Sequence, residues 1–188
     1  MRLARIISAV ALCFTLGHAT SARAEDRAAN NSLFVEGLGP GLLYSFNYER
    51  TIENDFALRI GTSYMSFGAS ASAGGADVVE ASASLLMVPV VASYLGISSG
   101  SNALELGVGG IYLHASAEAS GGGITQTGAG STVWGTAVIG YRRQPVNGGF
   151  MFRVGMSALI GKGLGFNITD PAAIGVVPWP YLSLGATF

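Results

Sequence analysis

The chain has 188 residues, 49% hydrophobic and only 11% charged, with 28 glycines and a formal net charge of −1. Charge at under half, and glycine at about twice, the share found in ordinary soluble domains excludes charge-driven disorder, a basic nucleic-acid-binding surface and the usual make-up of a cytosolic enzyme. After residue 24 the longest apolar run spans only residues 85–92, too short for a transmembrane helix, so the apolar content is distributed some other way.

Residues 1–24 read as a cleaved secretory signal peptide. Arg2 and Arg5 supply a positive start, 6–16 an apolar stretch, and Ala22-Arg23-Ala24 a small-residue cleavage site. Cys13 is the only cysteine and lies inside this segment, so the exported chain is expected to carry no disulfide and no thiol nucleophile. Leu12 before it is too large for a lipoprotein site. Arg2, Arg5 and Arg23 leave with the segment while every acid stays, which takes the net charge to −4. Residues 25–31 are expected to be a short periplasmic segment and 32–188 one domain.

From residue 32 onward the hydropathy pattern has a period of two, the signature of half-buried strands. Phe56, Leu58, Ile60 and Tyr64 oppose Arg59, Gly61 and Ser63. Leu104, Leu106, Val108 and Tyr112 oppose Glu105, Gly107 and Gly109. Phe150, Phe152, Val154, Met156 and Ile160 oppose Arg153, Gly155 and Ser157. Leu182, Leu184, Ala186 and Phe188 oppose Ser183, Gly185 and Thr187. The pattern predicts strands over 31–38, 41–52, 56–67, 81–96, 103–117, 131–143, 150–161 and 178–188. Gly39-Pro40-Gly41 separates the first two, because proline removes a ladder donor.

The connections are predicted to alternate in length. Residues 53–55, 98–102 and 145–149 are short, the last carrying Asn147-Gly148 as a hairpin signal. Segments 68–80, 118–130 and 162–177 are long and rich in Gly, Ser and Ala. Short turns at one end and long loops at the other, with an even strand number, characterise bacterial outer-membrane barrels. A soluble sandwich would cover its second face with charge; here that face is mostly Gly, Ser and Thr. The expected fold is therefore all-β: an eight-stranded antiparallel up-and-down transmembrane β-barrel. Tyr44, Tyr48, Tyr64, Tyr94, Tyr112, Tyr141 and Trp134 or Trp179 fall near strand ends, where aromatic girdles form.

The last ten residues, Trp179-Pro180-Tyr181-Leu182-Ser183-Leu184-Gly185-Ala186-Thr187-Phe188, look like the C-terminal signal of outer-membrane β-barrels. Asn47-Tyr48-Glu49-Arg50, Gly140-Tyr141-Arg142-Arg143-Gln144-Pro145 and Gly149-Phe150-Met151-Phe152-Arg153-Val154-Gly155 resemble small single-domain outer-membrane barrel proteins. The resemblance spans essentially 32–188 and is specific for fold and location, not activity. It implies the cell outer membrane as the location, contact with lipid and lipopolysaccharide, and recognition by the barrel assembly machinery through Leu182, Leu184, Ala186 and Phe188. Ala186 departs from the pattern, which usually carries a larger apolar residue there.

With the aliphatic and aromatic face toward lipid, the inner face carries Glu36, Glu49, Glu105, Arg59, Arg142 and Arg153, three acids against three arginines. Eight strands leave a lumen that side chains just fill, and buried ions need partners, so a Glu/Arg network closing the lumen is expected. A narrow proton or small-solute path is the competing use of the same charges.

Chemistry-bearing residues are few. His114, Ser116 and Glu118 share one lipid-facing strand face, a His-x-Ser spacing similar to that of outer-membrane lipid A deacylases. Ala117 stands where those enzymes place an oxyanion-holding asparagine, and neighbours along a strand face are about 7 Å apart. No catalysis is expected, with a lipid A-modifying acyl hydrolase as the alternative. No metal site, phosphate loop, cofactor or nucleic-acid partner is predicted. The loops, bearing Asp77, Glu80, Glu118, Lys162 and Asp170, name no ligand, and Asn167-Ile168-Thr169 is a glycosylation pattern without meaning in a bacterial outer membrane.

Overall fold

The computed structural model describes residues 27–71, 79–121, 123–162, 164 and 173–188. The expected signal segment with Cys13, the loop acids Asp77 and Asp170, and Asn167 lie outside the described residues.

Eight strands form a closed barrel: β1 (Asn31–Leu38), β2 (Tyr44–Ile52), β3 (Phe56–Ala71), β4 (Val79–Ser99), β5 (Asn102–Gly121), β6 (Ile124–Arg143), β7 (Gly149–Lys162) and β8 (Ile174–Thr187). Each pairs antiparallel with its neighbours in sequence, and β1 also pairs with β8, with Leu33 opposite Ala186 and Val35 opposite Leu184. No strand edge is left along the ring itself, which is how a barrel removes the edge problem.

Strand alternation sorts the side chains inside out relative to a soluble domain. Phe46, Ile139 and Leu184 are 59%, 54% and 48% exposed on the outer wall, whereas Glu36, Arg59, Glu105, Arg142 and Arg153 are 0% exposed within. Six of the seven tyrosines form two outer tiers, Tyr181 alone pointing into the lumen. Tyr48, Tyr94 and Tyr141 lie toward the end bearing the turns 53–55, 100–101 and 144–148, and Tyr44, Tyr64 and Tyr112 toward the other.

Three sequence expectations are corrected. Segments 68–80, 118–130 and 162–177 are not wholly loops: β3 runs to Ala71, β4 starts at Val79, and β8 starts at Ile174. Only residues 122–123 join β5 to β6, so the length alternation fails there. A ladder is made of backbone bonds, and Ala117 opposite Gly128 or Ser116 opposite Ala129 pair without apolar side chains. Second, β2 begins at Tyr44, because Gly39–Gly41 forms a 3-10 turn. Third, Trp134 and Trp179 do not join the outer girdle. Both pack inside against Met65, Met87, Ile111, Leu113 and Leu159, and Gly161 leaves the space into which the Trp134 indole fits.

The lengthened strands form a sheet that outruns the ring. The last β3 residue paired with β2 is Thr62, opposite Phe46, and the last β6 residue paired with β7 is Gly135, opposite Ile160. Beyond these pairs β3–β6 continue as a four-stranded extension.

Candidate functional site

The barrel interior is layered. At the short-turn end the segment before β1 lies across the opening. Arg27 N–H donates to Asn54 Oδ1 at 3.2 Å and its Nη1 to Gln144 O at 3.3 Å. Ala28 and Ala29 N–H both donate to Val146 O at 3.0 Å. Above it Gln144 Nε2 donates to Ser32 Oγ and Thr51 Oγ1 at 3.2 and 3.4 Å.

The charged belt comes next. Arg153 on β7 is its hub: Nε and Nη2 donate to the two oxygens of Glu105 at 2.8 and 2.6 Å, and Nη1 lies 3.5 Å from Glu36 Oε2. A fork-to-carboxylate pair of this kind is the strongest ion-pair geometry available to side chains. Its guanidinium also lies 4.7 Å from the Phe34 ring centre and 5.3 Å from that of Tyr181. Arg59 reaches Glu36 Oε2 at 2.6 Å and lies 5.9 Å from the Phe34 ring. Arg142 forms a two-pronged pair with Glu49 and stands 4.0 Å from Glu105 Oε2. Ser93 Oγ donates to Glu105 and Ser183 Oγ to Glu36, at 2.9 and 3.0 Å. The structure thus brings Glu36, Glu49, Glu105, Arg59, Arg142 and Arg153 into one connected network.

Phe34, Tyr181, Ser93 and Ser183 belong to this network, and sequence reading overlooked them as partners. For Phe34 a signal existed, since it lies two residues from Glu36 on the same strand face. Nothing local marked the others, because their partners come from distant strands.

Above the belt the lumen turns apolar. Met65, Met87, Ile111, Leu113 and Leu159 form a buried cluster on which Leu42 packs. The 3-10 turn folds inward over this cluster, with Gly39, Pro40 and Gly41 all buried. Trp179 Nε1 donates to Leu42 O at 3.0 Å and ties the turn to β8. The turn is framed by Leu38 and Leu42, both at φ +63°, a conformation that costs a side-chain-bearing residue about 1–3 kcal/mol.

His114, Ser116 and Glu118 lie on the outer face of β5 as expected from alternation, and they do not assemble. His114 Nδ1 is 2.9 Å from Ser131 Oγ on β6, while Ser116 Oγ is 2.8 Å from Ser84 Oγ on β4. Nucleophile and base thus have separate partners, contrary to what acyl transfer needs. Among the described residues no group of three or more His, Cys, Asp or Glu is placed to hold a metal ion. Leu182, Leu184 and Phe188 are exposed on the outer wall of the last strand, 47%, 48% and 57%.

No protein-family model and no curated protein matches this sequence. Among solved structures, the chain is similar to Ail, the attachment invasion locus protein of Yersinia pestis, crystallised with the heparin analogue sucrose octasulfate. That match has a TM-score of 0.49 at 14% identity and covers 85% of this chain and 97% of that one. A second Ail structure gives 0.45 at 13%, covering 85% and 97%. Acinetobacter baumannii CarO2 gives 0.42 at 13%, covering 85% and 98%.

Proposed function

We propose that the protein is an integral outer-membrane β-barrel with a structural and surface-interacting role, its lumen closed by the Glu/Arg network and without catalysis. The observation that carries this reading is the inversion of the fold: six charged residues with 0–1% exposure inside, and a continuous belt of Leu, Ile, Val, Phe and Tyr outside. Water would penalise that outer belt, whereas a hydrocarbon solvent favours it. The closed ring pairs each strand with a neighbour on both sides, the arrangement by which strands satisfy their backbone groups in hydrocarbon.

Closure of the lumen is supported at three levels: the Arg27–Asn30 segment, the ion-pair belt, and the inward 3-10 turn over its apolar cluster. The surface-interacting role falls to the β3–β6 extension, whose outward residues include Ser66, Ser84, Ser116, Glu80 and Glu118. Leu182, Leu184, Ala186 and Phe188 serve in this reading as the stretch that the barrel assembly machinery reads, and residues 1–24 as the export signal. Lipid and lipopolysaccharide are its surroundings.

The test is fractionation followed by electrophoresis with and without heating. A protein that sediments with outer membranes and migrates faster unheated than heated supports the reading. Recovery as a monomer from detergent-free buffer overturns it.

A further inference from the structure

Two clusters on the outer wall at the short-turn end share one construction. On β2, Tyr48 and Arg50 are successive outward residues; Arg50 lies opposite Asn31 of β1, and Tyr48 OH donates to Asn31 Oδ1 at 2.8 Å. On β6, Tyr141 and Arg143 are successive outward residues; Arg143 lies opposite Asn102 of β5, and Tyr141 OH donates to Asn102 Oδ1 at 2.6 Å. On its other flank each arginine faces an apolar residue, Leu58 or Phe152. Strands β5 and β6 lie four places around the eight-stranded ring from β1 and β2, so the clusters occupy opposite sides of the barrel. Neither Arg50 nor Arg143 makes an ion pair among the described residues.

The tyrosine in each cluster fixes its polarity. A phenol giving its proton to the asparagine carbonyl oxygen occupies the acceptor end of that amide, and what remains for a ligand is the amide N–H and the guanidinium donors. Asn102 Nδ2 makes only a long contact of 3.5 Å to Ser99 O. An all-donor, positively charged set suits an anion with several oxygens, and a guanidinium suits a phosphodiester best.

Each cluster also adjoins an apolar hollow. The first holds about 840 Å³ and is lined by Leu33, Phe46, Tyr48, Ile60, Leu184 and Ala186. The small side chain of Ala186 opposite Leu33 helps to keep it open. The second, about 360 Å³, starts at the rim beside Ser98, Ser99 and Asn102 and lies against Ile97, Leu104 and Tyr141. Cation and amide at the rim beside an apolar hollow, long in the first cluster and short in the second, is the pattern of one amphiphile, head at the rim and the tail leaving it along the wall.

We infer that Asn31–Tyr48–Arg50 and Asn102–Tyr141–Arg143 are two equivalent sites for an anionic glycerophospholipid of the leaflet at the short-turn end. The phosphodiester is held by guanidinium and amide, and an acyl chain lies in the adjoining hollow. This rests on the membrane reading above.

The experiment uses the full barrel reconstituted in phosphatidylcholine vesicles, with spin-labelled phosphatidylglycerol or spin-labelled phosphatidylcholine as the probe. Electron paramagnetic resonance then gives the relative association of each lipid with the protein. At each site a preference for phosphatidylglycerol of about fivefold is expected, in line with about 1 kcal/mol for one arginine near an anionic headgroup. R50Q and R143Q each remove about half of that preference and the double variant abolishes it, while Arg50→Lys retains most. A186L weakens the first site only. All variants must still show heat-dependent migration. No preference in the natural protein, or full preference in the folded double variant, overturns the inference. A protein that enters neither vesicle overturns the membrane reading instead.

Discussion

Arg142 on β6 and Glu49 on β2 pair across the whole width of the barrel, linking strands that lie four places apart in the ring and share no hydrogen-bonded edge. Both side chains are 0–1% exposed. Their attraction is therefore little screened, and each depends on the other to offset its desolvation. Glu49→Ala leaves the guanidinium with Glu105 at 4.0 Å as its remaining carboxylate. We expect a loss of about 3–5 kcal/mol, read as an earlier urea midpoint for the heat-sensitive band. Replacing both residues with methionine should recover most of that loss. A Glu49→Ala barrel with an unchanged midpoint would show that the pair is not buried as described.

Phe34 presents its ring to Arg153 at 4.7 Å and to Arg59 at 5.9 Å, in a setting that excludes water. Such a contact is worth about 2 kcal/mol when desolvated. Phe34→Leu keeps the apolar volume roughly but removes the ring face, so a destabilisation of about 2–3 kcal/mol is expected, with the smaller volume adding to it. In Arg153→Met the same substitution should cost clearly less. Equal costs in the two backgrounds would show that only packing is lost.

Counting in twos along each strand is enough to place Glu36, Glu49, Arg59, Glu105, Arg142 and Arg153 on one face, since each falls out of phase with the outward apolar and tyrosine positions of its strand. Their partners do not follow from counting, because Arg142 meets Glu49 only once eight strands close into a ring. The same counting loses its guide where both faces are apolar, as at Ile111, Tyr112 and Leu113, or Val133 and Trp134. There the inner face carries the Met65–Leu159 cluster, so hydropathy no longer separates lumen from lipid. Trp134 is then sided only by its register opposite Ile111. The ends of β5 and β6 were hidden for a different reason: Gly, Ser, Ala and Thr read as loop, yet a ladder such as Thr127 opposite Glu118 asks only for backbone partners.

Trp134 packs against Gly161, where a Cβ would fall 2.6 Å from the indole Cγ. Gly161→Val must therefore displace the indole from the apolar cluster, with an expected cost of about 1–3 kcal/mol. Because the obstacle is a side chain rather than backbone, Trp134→Leu combined with Gly161→Val should be less unstable than the two single costs added together. A double-mutant cycle on urea midpoints reads this directly, and strict additivity would refute the contact.

Leu38 and Leu42 share φ +63° on the two sides of the inward turn, but they stand in different surroundings. Leu38 is 37% exposed, whereas Leu42 packs on the Met65–Leu159 cluster and its carbonyl accepts from Trp179 Nε1. Glycine relieves the backbone strain at either position and adds unfolded-state entropy at both. At Leu38 relief dominates, so Leu38→Gly should stabilise the barrel by about 1 kcal/mol. At Leu42 the loss of a half-buried leucine outweighs the same relief, and Leu42→Gly should destabilise by about 1–2 kcal/mol. Opposite shifts of the urea midpoint for one substitution at two positions of equal φ are the expected result. Shifts of the same sign would mean that the inward turn is held by its backbone alone and not by the anchor that Leu42 makes inside the lumen.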